Sequence, residues 1–114
     1  MTTRGEHWSI EEVEASVADY MHMLTLELAG QSYNKSAHRR ALMLKLNGRG
    51  DLSIERKHQN ISAVLRDLGC HWISGYKPLP NYQGILFGVV SAWLKDHSEF
   101  DRVAISAAEQ PAVN

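Results

Sequence analysis

The residues of this 114-residue sequence that could do chemistry are suited to holding an anion, not to breaking a bond. Lys35, Ser36, His38, Arg39 and Arg40 follow Tyr33-Asn34 in one short run. Asn34 or Ser36 can cap a helix, and the free N–H groups of a helix start, with cations beside them, suit a phosphate. The bland equivalent is an N-cap with exposed bases next to it. Arg56, Gln59, Asn60 and Ala63 have a spacing that puts them on one helical face. Arginine forks onto guanine, and Gln and Asn pair bidentately with adenine, so this stripe suits base edges; any solvated helix face is polar too. Tyr76-Lys77-Pro78-Leu79-Pro80-Asn81-Tyr82 is a stiff loop of aromatics and prolines around a lysine. Such a notch can stack a base or hold a soft, weakly hydrated group, and it can equally plug the end of a bundle.

Catalysis finds little support. The six histidines are scattered, Cys70 has no partner cysteine, and no H-E-x-x-H, clustered carboxylates or phosphate-cradling glycine loop occurs. His58 lies on an apolar helical line, as a core histidine does. The chain therefore reads as a binding module and not an enzyme, with no catalytic residue, metal ligand or cofactor.

The elements that must position these groups are helical. Ser9-Ile10-Glu11-Glu12 is a capping box, and apolar residues recur at three- to four-residue spacing from Ile10 to Leu28 before Gly30. A second helix, capped by Asn34 or Ser36, carries Ala37, Ala41, Leu42 and Leu46 up to Asn47-Gly48. Ser53 is the expected cap of a third, with Ile54, Ile61, Val64, Leu65 and Leu68 inside and Gly69 after it. Cys70–Ile73 reads as a short strand, and Asn81 as the cap of a last helix carrying Leu86, Val89, Val90, Trp93 and Leu94. The expected fold is all-α: a compact bundle of about four helices with a helix-turn-helix-like middle and a structured Pro/Tyr loop. Its expected extent is residues 8–96, with 97–114 a tail or linker.

Charge sharpens this. The net formal charge is −1, but residues 1–30 hold one base and six acids, 31–80 nine bases and three acids, and 81–114 two bases and four acids. The basic middle coincides with the anion-binding candidates, where Lys57, Arg49, Arg39 and Arg40 would meet phosphates. Polar Met1–His7 has no apolar run of a secretory signal, and the lone thiol suits a cytoplasmic protein.

The run Tyr33-Asn34-Lys35-Ser36-x-His38-Arg39-Arg40, then Ser53-Ile54-Glu55-x-Lys57-His58-Gln59-Asn60-Ile61-Ser62-Ala63-Val64-Leu65, then Gly75-Tyr76-Lys77-Pro78 and Asn81-Tyr82-Gln83 resembles the helical N-terminal domain of bacterial HNH-type, modification-dependent restriction endonucleases. Within that group it is most similar to the DNA sulfur-binding domains, which recognise phosphorothioate-modified DNA. The resemblance covers about residues 8–95, and no HNH motif lies within the 114 residues. It implies a reader of double-stranded, phosphorothioate-modified DNA joined to or partnered with a nuclease, and no membrane. Backbone or sulfur contacts are then expected from Tyr33, Lys35, Ser36, His38, Arg39, Arg40, Lys57, His58, Tyr76, Lys77, Pro78 and Tyr82, and base contacts from Arg56, Gln59 and Asn60. The alternatives are a sequence-preferring DNA-binding domain without sulfur specificity, or a protein-interaction module of a defence system docking through the acidic first helix and Trp8.

Overall fold

The computed structural model describes residues 8–100. Four helices follow in order: α1 (Ile10–Leu28), α2 (Lys35–Met43), α3 (Asp51–Asp67) and α4 (Gly84–Asp96). The fold is all-α, with no strand among the described residues. Cys70–Ile73 is therefore not a strand; it has no second strand to supply a ladder.

The capping box forms as the sequence implies: Glu12 N–H donates to Ser9 Oγ, and Ser9 N–H donates to Glu12 Oε1. Both α1 and α3 end in Schellman motifs. Gly30 and Gly69 take φ of 76°, and the N–H groups of Gln31 and Cys70 reach back to Leu26 and Leu65 carbonyls. Three boundaries differ from the sequence reading. α2 stops at Met43, so Leu46 reaches the core from the connection and not from a helix. α3 is capped by Gly50 instead of Ser53, with Asp51 in its first turn where the helix dipole favours an acid. Asn81 sits at φ 67°, outside the extended region a cap requires, and Gln83 takes that position for α4. Residues 44–50 join α2 to α3, a longer connection than the three- to four-residue turn of a standard helix-turn-helix.

The main core sits between α1, α3 and α4. Val13, Val17, Tyr20, Met21 and Leu24 of α1 meet Ile61, Val64 and Leu65 of α3 and Leu86 and Val90 of α4, with Ile73 and Tyr76 added from the loop. Each fully buried aliphatic side chain of this kind stabilises by about 1.5–3 kcal/mol. Packing continues past Asp96: Phe100 is buried against Trp93, so residues 97–100 belong to the fold and not to a tail. The rest of the expected 97–114 tail lies outside the described residues. A smaller cluster of Leu42, Leu46 and Ile54 closes the α2–α3 corner beneath Trp8.

Glu12 fastens that corner to α1. Besides capping, its carboxylate accepts from Asn47 N–H at 2.9 Å and from two nitrogens of Arg49 at 3.0 Å. The Arg49 guanidinium, helped by the Asn47 and Ser9 amides, outweighs burial and holds the carboxyl down at about 2 against an ordinary 4.5. Converted at about 1.4 kcal/mol per unit, the charged form contributes about 3 kcal/mol. The folded-state value lies below the unfolded one, so this stability is present above pH 4.5 and is lost as the pH falls toward 2. Urea melts of the wild type and Glu12→Gln are expected to differ by about 3 kcal/mol at pH 7, with the gap closing toward pH 2.

Candidate nucleic-acid interface

The start of α2 and the Tyr76 loop meet. Asn34 Oδ1 accepts from Ala37 N–H and thereby caps α2, which sets Lys35 in its first turn. Lys35 Nζ lies 4.2 Å from the centroid of the Tyr76 ring and donates to the Gly75 carbonyl at 3.3 Å. A Cβ on residue 75 would stand 2.9 Å from that ammonium, so glycine leaves room for the approach. One turn further, Arg39 reaches Ser36 Oγ at 3.4 Å and Asp51 of α3 at 3.3 Å. Burial pushes the Tyr76 phenol up, while the neighbouring Arg39 guanidinium draws it down.

The loop has no regular structure, yet side chains from three elements hold it. Ile73 N–H donates to Tyr20 OH at 2.9 Å and Ser74 N–H to Glu27 Oε2 at 3.1 Å. Further along, Leu79 N–H donates to the Gln59 carbonyl at 3.0 Å, and Asn60 Nδ2 to the Leu79 carbonyl at 2.7 Å. Pro78 is half-buried and Leu79 and Pro80 are exposed, so these, and not the covered Tyr76 ring, are apolar surface the loop offers to solvent.

Behind the surface runs a polar connection from α1. Asp19 Oδ1 lies 2.7 Å from His38 Nδ1, and Asp19 Oδ2 lies 3.5 Å from His58 Nε2. Burial pushes the Asp19 carboxyl up, but the neighbouring His58 and His38 imidazoles more than offset this and hold it below the ordinary range. His58 is buried, stacks on Tyr76 with ring centroids 5.1 Å apart, and gives its Nδ1 proton to the Ile54 carbonyl at 2.8 Å.

The expected contact residues are divided by this arrangement. Lys35 and Arg39 meet the loop, Ser36 bonds to Arg39, His38 is turned to Asp19, and Arg40, Arg56 and Lys77 are exposed. Lys57 and His58 are corrections: both are buried, and neither is a surface donor. Lys57 Nζ donates to Gln83 Oε1 at 2.9 Å and lies 4.7 Å from the Trp8 ring; burial, then Arg49, lowers its ammonium from the ordinary value. Arg49 is turned inward to Glu12 and lies 4.7 Å from the Trp8 ring, so it does not reach outward to phosphate. Asn60 holds the loop instead of facing a groove, and Ala63 of the same stripe is fully buried. Tyr33 OH donates to Glu27 at 2.6 Å and Tyr82 OH to Asp67 at 2.7 Å, so both hydroxyls bind within the protein. The sequence reading missed Asp19, which lies off the line of Val13, Val17, Tyr20 and Leu24 on its helix, so the apolar spacing gave no signal for it.

Among the described residues no group of His, Cys, Asp and Glu is placed to hold a metal ion, and no helix is long and apolar enough to cross a membrane. In comparison with known proteins, no family model matches the chain, and neither a curated protein nor a solved structure matches it.

Replacing Asn60 with alanine removes one clip from an exposed part of the loop and leaves the core intact. The expected result is faster amide exchange at Leu79 with a loss of global stability of about 1 kcal/mol, read by hydrogen-exchange mass spectrometry and a urea melt.

Proposed function

We propose that this chain is a DNA-binding reader module that recognises phosphorothioate-modified double-stranded DNA and targets a fused or partner HNH nuclease, without catalytic residues of its own. The observation that carries the reading is the Lys35 ammonium at the start of α2 set over Tyr76, near Arg39, on the loop that also exposes Leu79. A phosphorothioate keeps the negative charge of phosphate but carries it partly on sulfur, which is larger, more polarisable and a weaker hydrogen-bond acceptor. A site that prefers it needs cations next to apolar contact, and cations near a loop that exposes apolar residues support that reading. Arg40, Arg56 and Lys77 are exposed, and on this reading Arg40 and Lys77 meet the backbone and Arg56 base edges.

Titration of matched duplexes with and without one phosphorothioate, at fixed salt, tests this. The modified duplex is expected to bind more tightly; equal affinities would reject sulfur recognition and leave a plain DNA-binding domain. Arg39→Ala is expected to weaken both duplexes about tenfold and to reduce the log–log salt slope by about one. Pro78→Ala is expected to weaken the modified duplex selectively.

One observation favours the protein-interaction reading on a different face. Between α1 and α4 lies an open groove of about 520 Å3 lined by Ile10, Val17, Ile85, Val89 and Trp93, with Glu14 and Asp96 among its walls. Trp8 itself is engaged by Arg49 and Lys57, so docking through it is not supported. A stable protein complex in pull-down, with no duplex bound at low salt, would favour this reading over the first.

A further inference from the structure

We propose that Asp19 is the positioning residue of the anion-binding surface, and that by committing one nitrogen of His38 it makes binding of a DNA backbone anion depend on a proton taken up by that ring. This deepens the DNA reading above and rests on it.

The argument starts from the two nitrogens of one imidazole. His38 stands on α2 between Lys35 and Arg39, and its Nδ1 lies 2.7 Å from Asp19 Oδ1. Asp19 is a carboxylate with no proton to give, so the hydrogen between them belongs to Nδ1. A neutral His38 held in this way has only a lone pair on its other nitrogen. A lone pair repels phosphate or phosphorothioate. Once that nitrogen is protonated, the ring donates from both sides and carries positive charge. An anion that engages His38 therefore favours the protonated ring, and by linkage the protonated ring favours the anion. The groups facing His38 are few: Asp19 and the His22 ring come from α1, and the Tyr33 ring from the connector.

The second oxygen of Asp19 makes the arrangement more than a tie between two helices. Asp19 Oδ2 and His58 Nε2 are both buried and both lack a hydrogen-bond partner, and they lie 3.5 Å apart. His58 Nδ1 already donates to Ile54, so the pair is completed only by a further proton on Nε2. His58 lies against Tyr76, the ring that Lys35 covers. One carboxylate thus governs the histidine on the α2 side of the surface and the histidine behind its loop.

Anisotropy titrations of a phosphorothioate duplex from pH 5.5 to 8.5, at constant ionic strength, test the proposal. The wild type is expected to lose affinity as the pH rises across this interval, by up to about tenfold per unit for one linked proton. His38→Gln keeps a donor that does not titrate and is expected to flatten the profile. Asp19→Asn is expected to flatten it as well, because an amide can pair with either form of the imidazole and so frees the outer nitrogen to donate while neutral. His22→Gln is expected to keep the wild-type slope. Binding with the same slope in wild type and His38→Gln overturns the inference and leaves the DNA reading standing. Failure of the wild type to bind any duplex at low salt overturns the DNA reading, and this inference with it.

Discussion

The loop that carries Tyr76 depends on one buried phenol. Tyr20 is fully enclosed, its hydroxyl accepts the Ile73 N–H at 2.9 Å, and it shares a 2.7 Å hydrogen bond with Ser62. Those contacts join α1, α3 and the loop at one point. Burial raises the Tyr20 phenol far above its ordinary range, which keeps it a neutral donor and acceptor. An isolated buried N–H costs about 1–3 kcal/mol, so the start of the loop is held where this hydroxyl is. The His58 and Tyr76 rings pack around the same phenol, with centroids 5.7 and 6.2 Å from it. The surface beside Lys35 is therefore built on an aromatic and polar layer, with the aliphatic core on its other side.

Much of the fold was legible because it is local. The capping box at Ser9 and Glu12, the apolar line from Val13 to Leu24, and glycine after each of the two long helices need no knowledge of distant contacts. The failures are non-local. Arg56, Gln59, Asn60 and Ala63 do share a helical face, but residues 73–83 fold back along α3 and cover part of it. Periodicity tells which residues face together and not what they face. Glu12 read as a cap and proved also to be the partner of Arg49, 37 residues away. Ser53 read as the cap of the third helix, whereas Gly50 begins it, a position glycine tolerates.

The charge split between the acidic first helix and the basic middle was informative, but it overstated the exposed charge. Two of the nine bases between residues 31 and 80, Arg49 and Lys57, flank Trp8 at 4.7 Å and are turned inward. They stabilise the α2–α3 corner and add little to the outward field. Arg39 is shared with Asp51, and Arg66 with Asp67. Lys35, Arg40, Lys45, Arg56 and Lys77 carry the remaining positive charge, spread over α2, its connection, α3 and the loop.

The ties that hold the loop also fix the order in which the surface can come into being. Helices α1 and α3 close through contacts a few residues apart, and such structure forms early. The hydrogen bonds that hold the loop's first residues span 53, 47 and 40 positions, from Ile73 to Tyr20, Ser74 to Glu27 and Gly75 to Lys35. Closing chain segments of that length costs entropy that is recovered only once the core has condensed. A chain with its helices formed but its loop undocked has Lys35 without its aromatic partner. Assembly of this surface is thus a late step of folding, and a ligand that engages it selects the finished fold over every partly ordered precursor.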